Sequence, residues 1–525
     1  MNFITSSQKP IEKVSSDDQV VGYDLFSSVT YMSILAKGGI NRDRMLEYCS
    51  RQRYKTAVFF EHIRTMARGM GVEYTIAFQE VAKKAKAGSI KSLLLRFSSS
   101  ISSGGSEAEF IVEEARNQKL EYSNNYERSV DNLQKWTDAY SAVLVAVTLI
   151  MVVSQISSLL GATSESFIFL MTMTLFGVTT IGVFLIYKVA PFEEFSYDTN
   201  EGITKNRKMS RFLAFVIGIP GFAIALLTGM LIYGATNDIM RSGSIFYLLL
   251  GFSVLPAGFF AWRDAQAIDK NDSELTIFFR GVGNIAGAAG VTLTETLKRL
   301  DTKSLPNLKI HIDRLKTRLI SGLPSAESWE IFSTETGSDL SSRTTTMMLD
   351  GIETGCPADE VGAISADFAQ NVTELRARRK LCSSSFGFLS LAMHITMSLI
   401  LVFVVEIINN FNKKLEEVSE GLKGGVTESM TTPSGLQAPP GIALPSSSDL
   451  SVGLGLGENV QVGMMQLTII IVIGILVVAN ALAPKFTEGG HNLKILWFMS
   501  LTAITSGIIL MIVPTVTAGL LNVGM

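Results

Sequence analysis

The sequence predicts an all-α, polytopic membrane protein, with about seven transmembrane helices and two cytoplasmic helical-bundle domains. Three observations lead there. Long uncharged apolar runs alternate with charged segments, two of the charged segments resemble each other, and neither of those contains a convincing strand pattern. The chain is 47% hydrophobic and 18% charged, with a mean hydropathy of +0.31, which is high for a soluble chain with that much charge. A bilayer imposes this segregation, because a crossing helix needs about 20 apolar residues and a central charge costs about 2.5–3.5 kcal/mol.

Residues 1–20 are polar and lack the apolar stretch of a signal peptide, so they read as a disordered tail. Segment 21–136 reads as a first helical domain. Four apolar stretches follow, at 139–161, 166–190, 211–233 and 244–262. Segment 263–380 reads as a second helical domain, and 383–409 as a fifth span. Segment 410–462 opens with FNKKLEEVSEGLK, a helix-like charged stretch, and becomes rich in Pro, Gly and Ser. Such composition buries too little apolar surface to pack alone, so this is expected to be an external low-complexity loop. Spans at 463–484 and 494–521 complete the chain.

Basic residues orient the spans. Lys205, Arg207 and Lys208 lie between spans two and three, Arg263 follows span four, and Arg376, Arg378, Arg379 and Lys380 precede span five. These ends are expected in the cytoplasm, with the N-terminus and both helical domains; the C-terminus is expected outside. Four spans separate the two domains, and an even number returns the second to the side of the first.

The two domains repeat. Phe59 and Phe60 recur as Phe278 and Phe279, 219 positions later, and the same offset relates Gly71-Val72 to Gly290-Val291, Thr75 to Thr294 and Lys84 to Lys303. Phe59, Ile63, Met66 and Met70 recur at helical spacing before Gly71, as Phe278, Val282, Ile285 and Ala289 do before Gly290. Both glycines stand where a helix C-cap is expected. Each unit reads as short amphipathic helices joined by glycine turns, with an insertion near 349–359 in the second copy.

Chemistry-bearing patterns are sparse. There is no G-x-x-x-x-G-K-[ST] phosphate loop. Gly281, Gly283 and Gly287 have the wrong spacing for a dinucleotide fingerprint and read as sites of close helix packing. Cys49, Cys356 and Cys382 are too dispersed for a disulfide framework or zinc site, and a net charge of −3 indicates no nucleic-acid partner. Among the histidines, only His394 falls inside a span, where a neutral, hydrogen-bonded ring is expected. No catalytic, cofactor-binding or metal-binding residue emerges. The candidate sites are basic clusters: Arg51, Arg53, Lys55, Lys83, Lys84, Lys86 and Lys91 in the first domain, and Lys298, Arg299 and Lys303 in the second. Solvated helix faces and attraction to anionic lipid are the ordinary explanation for such clusters; an acidic protein surface is the alternative.

This arrangement resembles the type II secretion system F-domain family. GVEYTIAFQEVA followed by SSISSGGSEAEFI in the first domain, and GVTLTETLKRL followed by RLISGLPSAESW in the second, look like the family's glycine turns and amphipathic helices. Two copies, extra spans and a long external loop look like its archaeal branch, the membrane platform of the archaellum and of archaeal type IV pili. The resemblance implies a non-enzymatic platform that docks a hexameric cytoplasmic secretion ATPase through the basic clusters and supports assembly of pilin-like or archaellin subunits. It implies a homodimer as a further option. A platform for an adhesive pilus and a secondary transporter are the alternative readings; the latter predicts buried charges along the spans.

Overall fold

The structure, a computed structural model, describes residues 18–86, 88–159, 165–198, 203–429 and 462–523. Most of the expected tail, part of the turn after the first span, and the Pro/Gly/Ser-rich part of the expected external loop lie outside these residues. Among the described residues the chain is helical, with no strand beyond a single bridge between Ser196 and Ser338. Seven helices are long and apolar enough to cross a membrane, as the sequence predicts.

The membrane-length helices are α6 (Glu107–Leu159), α7 (Glu165–Val189), the run from α8 (Lys205–Leu213) through a π-turn into α9 (Ile219–Thr236), α10 (Ile239–Ala289), α15 (Ala358–Ser429), α16 (Val462–Glu488) and α17 (Ile495–Val523). The domain boundaries expected at 136, 262 and 380 fall inside α6, α10 and α15. Each of these helices runs unbroken from the charged body into its apolar segment, since no Gly or Pro stands at the change of composition. Likewise α15 continues through the FNKKLEEVSEGLK stretch to Ser429.

The body contains α1 (Asp18–Lys37), α2 (Arg42–Ser50), α3 (Ala57–Arg64), α4 (Tyr74–Lys84) and α5 (Gly88–Ser102) from the first segment. The second contributes α11 (Leu293–Arg299), α12 (Lys309–Ile320), α13 (Ser325–Thr336) and α14 (Asp339–Glu353). The repeated aromatic pairs Phe59-Phe60 and Phe278-Phe279 are all buried. Gly71 and Gly290 both adopt left-handed backbone, at φ 69° and 57°, which a β-carbon disfavours. In the second copy Gly337, at φ 68°, ends α13, and Ser338 caps α14 by accepting from the Ser341 amide. Residues 349–359, where the insertion is expected, are the end of α14, the turn after it and the start of α15.

The two segments form one body around one core. Helix α1 is buried on almost every side and lies between them. Its Tyr23 and Phe26 rings pack against Tyr122 of α6 and Phe368 of α15. Outside the core, Lys119 pairs with Asp367 and Ser123 with Asn371, holding α6 and α15 side by side. Gly283 and Gly362 bring α10 and α15 together: a β-carbon on Gly283 would lie 2.7 Å from the Gly362 Cα. The close-packing reading of Gly283 therefore holds.

In the apolar bundle, α10 and α17 approach just as closely. A β-carbon on Gly258 would lie 2.6 Å from the Trp497 amide, and one on Gly251 2.9 Å from the Ile504 amide. Such small residues let backbones meet where no hydrophobic effect drives association. His394 of α15 is fully buried. Its Nδ1 accepts from the Asn480 amide of α16 at 3.3 Å, and its Nε2 faces the Thr502 carbonyl and Ser506 hydroxyl of α17 at 3.1 and 2.8 Å. That pattern fits the neutral Nε2–H tautomer, as the sequence predicts, and ties three helices together.

Candidate coupling site between body and membrane bundle

Pro191 stops α7, and residues 190–198 (APFEEFSYD) then pass between the body and the apolar bundle as an extended strap. The Tyr197 amide donates to the Gly337 carbonyl at 3.0 Å, and the Asp339 amide to the Phe195 carbonyl at 3.4 Å. The turn that ends α13 thus gives the strap its backbone partner.

The strap's side chains meet buried arginines from both sides. Glu193 accepts from Arg376 at 3.2 Å, and Arg376 also donates to Asp272 at 2.6 Å with its guanidinium over the Phe195 ring. Glu194 lies 3.9 Å from Arg343. Asp198 pairs with Arg207, which also contacts Asp264 of α10. Arg379 donates to the carbonyls of Pro191 and Thr487 at 2.8 Å and of Phe486 at 3.1 Å, fastening the strap to the end of α16. Arg376 and Arg379, three apart on α15, face inward; Arg378 and Lys380 between and beside them face outward to Glu127 and Asp269.

Arg343 of α14 is buried as well, next after Arg207 among these cations. It reaches Asp24 of α1 at 2.7 Å, Asp339 at 2.6 Å and the Ser27 hydroxyl at 3.0 Å, between the rings of Tyr23 and Tyr54. Burial pushes the Asp339 carboxyl above its ordinary range against the pull of Arg343. Burial also raises Glu194, and Asp339 and Asp24 add to it. The site therefore concentrates charge in a low-dielectric seam, where Arg207, Arg343 and Arg376 are each held by carboxylates from separate elements and Arg379 mainly by backbone carbonyls.

The basic clusters divide. Arg53 lies over the Tyr197 ring, and Lys55 over the Phe192 ring, so both are engaged by the strap. Arg51 pairs with Glu47 and joins Arg53 in a 410 Å³ cleft between the strap, α13 and α14. Lys83 pairs with Glu80, while Lys298 and Arg299 share Glu295. Lys84, Lys91 and Lys303 are exposed, and Lys86 follows α4. Lys83, Lys84, Lys298 and Arg299 fall in the last turns of their helices, where a cation favours the helix dipole. Among the described residues, no group of His, Cys, Asp and Glu is placed to hold a metal.

Sequence reasoning registered Arg207, Arg376 and Arg379 only as orientation signals. It passed over Arg343, Asp24 and the strap acids Glu193 and Glu194. The available signal was FEEFSYD itself, an acidic and aromatic stretch in a loop otherwise counted for its lysines.

Residues 284–406 match the family model "Type II secretion system (T2SS), protein F". The chain is similar to flagella accessory protein J of Methanococcus voltae, with 22% identity over 63% of this chain and 60% of the relative. It is also similar to flagella accessory protein J of Methanocaldococcus jannaschii, with 19% identity over 62% of this chain and 58% of the relative. These matches span less than two thirds of either relative's length. No solved structure matches the chain. The resemblance first drawn from the glycine turns and amphipathic helices thus stands: residues 284–406 match the type II secretion system protein F model, within a chain similar to flagella accessory protein J.

Proposed function

We propose that this protein is the membrane platform of an archaeal type IV filament, archaellum or pilus. In this reading it docks a hexameric cytoplasmic secretion ATPase and couples it to extrusion or rotation of pilin-like subunits. One observation carries the reading: a secretion-family domain in a chain similar to flagella accessory protein J. The protein is multi-pass in the cell membrane, with its N-terminus and helical body in the cytoplasm and its C-terminus outside. It performs no catalysis itself; nucleotide hydrolysis belongs to the partner. The ion-paired seam supports coupling, because rigid charge-locked contacts transmit a push on the body to α7, α8, α15 and α16 without dissipating it in loop motion.

The ATPase is proposed to meet Lys83, Lys84, Lys86 and Lys91 together with Lys298, Arg299 and Lys303, while Arg51, Arg53 and Lys55 act at the strap cleft. Two copies of the chain beneath one hexamer are part of the same proposal. Charge reversal of Lys83, Lys84 and Lys86 to Glu is expected to abolish co-purification with the ATPase while leaving thermal stability within about 0.5 kcal/mol, as for exposed positions. Unchanged co-purification refutes that interface.

A further inference from the structure

An apolar groove of about 610 Å³ runs between α7 and α16. It is lined by Phe176, Thr180, Val183 and Phe184 on one side and by Ile475 and Val478 on the other. Both threonine hydroxyls in it, on Thr179 and Thr180, bond back to the Phe176 carbonyl at 3.0 and 2.7 Å, so neither calls for a polar occupant. At one end the groove reaches Tyr187 and Phe486. The same two residues line a second, polar cavity that also contains Lys188, Arg379, Lys485, His491 and Asn492. An apolar channel therefore opens into a polar chamber at the level of the strap.

The charges in that chamber are unevenly matched. Glu193 is held by Arg376, and Glu194 faces Arg343 and Lys55 at 3.9 and 4.0 Å. Lys494, outside the chamber's lining, is paired with Glu488. Lys485 is half-buried, donates to the Asn492 side chain at 2.8 Å, and has no ion pair among the described residues. Lys188, next to Tyr187, is exposed and also has none among them. Among the described residues, two cations thus stand at the chamber's mouth without a counter-ion.

Length and lining select the occupant. From Phe176 to Tyr187 the groove runs about 16 Å at 1.5 Å per residue, close to half of a hydrocarbon core about 30 Å thick. An apolar lining over one leaflet's depth that ends beside two cations matches a lipid lying with its chain along the groove and its headgroup at the polar end.

We propose that this groove and chamber form a binding site for an anionic phospholipid, its chain between α7 and α16 and its phosphate against Lys485 and Lys188. The lipid fills the seam beside the strap and so becomes part of the junction between body and bundle. The inference rests on α7 and α16 being membrane spans and is independent of the filament reading.

The test is native mass spectrometry of the detergent-purified full chain, titrated with phosphatidylglycerol or phosphatidylcholine. Phosphatidylglycerol is expected to bind more tightly. Lys485→Gln is expected to weaken it about fivefold, from about 1 kcal/mol per basic residue near anionic lipid, and to leave phosphatidylcholine unchanged. Lys485→Arg is expected to restore binding, which separates loss of charge from misfolding. Val478→Trp, which fills the groove, is expected to weaken both lipids. Equal binding of the two lipids, or an unchanged phosphatidylglycerol affinity in Lys485→Gln, overturns the headgroup assignment. Displacement of bound lipid by a synthetic apolar transmembrane peptide, with no response to Val478→Trp, overturns the lipid as occupant.

Discussion

Arg343→Met removes the cation at the centre of the seam while keeping most of its volume. Asp24 and Asp339 then remain buried without the guanidinium that compensates them, and Ser27 loses a partner. Breaking a buried ion pair from one side costs about 3–5 kcal/mol. Loss of contact with the Tyr23 and Tyr54 rings adds about 0.5–2 kcal/mol. A control comes from Lys37 and Glu360, which link α1 to α15 at the surface with side chains 35% and 45% exposed. Lys37→Ala is expected to cost less than about 1 kcal/mol, because water competes for both ends. The triple variant Asp24→Asn, Arg343→Met, Asp339→Asn removes the carboxylates with the cation and is expected to recover most of the loss. Denaturant unfolding of the detergent-solubilised protein measures all three. If Arg343→Met unfolds within about 1 kcal/mol of the native chain, or the triple variant is no more stable than the single, the buried-charge argument fails.

Further outcomes follow from the same structure. Gly337→Ala is expected to destabilise far more than Gly71→Ala. Both glycines are left-handed, which costs about 1–2 kcal/mol for an added side chain, but only at Gly337 does the new β-carbon lie 2.3 Å from Thr204 Cγ2; equal losses in thermal unfolding contradict this. Gly258→Val is expected to separate α10 from α17, since its branches would enter the Trp497 backbone; a native melting temperature refutes the contact. Burial, with nearby Arg207, pushes His491 down to about 4 from 6.5, and its Nδ1 accepts the Leu493 amide at the start of the last membrane-length run. The unfolded chain therefore binds a proton that the folded one excludes, and stability is lost as pH falls from about 6.5 to about 4. His491→Asn keeps a capping oxygen and is expected to reduce that slope in a pH series of unfolding curves; an unaltered slope assigns the acid sensitivity elsewhere.

Local pattern carried much of the fold. Apolar runs located seven membrane-length helices because insertion energy is summed over about 20 consecutive residues, a quantity read directly from sequence. Gly71 and Gly290 were legible as turns because only glycine adopts that backbone without cost. His394 was legible as a bonded, uncharged ring because a span offers no water to satisfy it. The composition changes near 136, 262 and 380 do not break the helices that contain them, since a helix passes from charged to apolar residues without breaking its hydrogen bonds.

Tertiary structure decided the rest. That the two repeated segments share one core, with α1 buried between them, depends on contacts such as Phe26 with Phe368 that no periodicity reports. The seam depends on pairings such as Asp24 with Arg343, more than 300 positions apart. By sequence alone Arg376, Arg378, Arg379 and Lys380 are equivalent cations at a membrane end. In the fold two of them point into a low-dielectric seam and two into water, because helix phase and neighbouring elements, not charge, choose which face is buried.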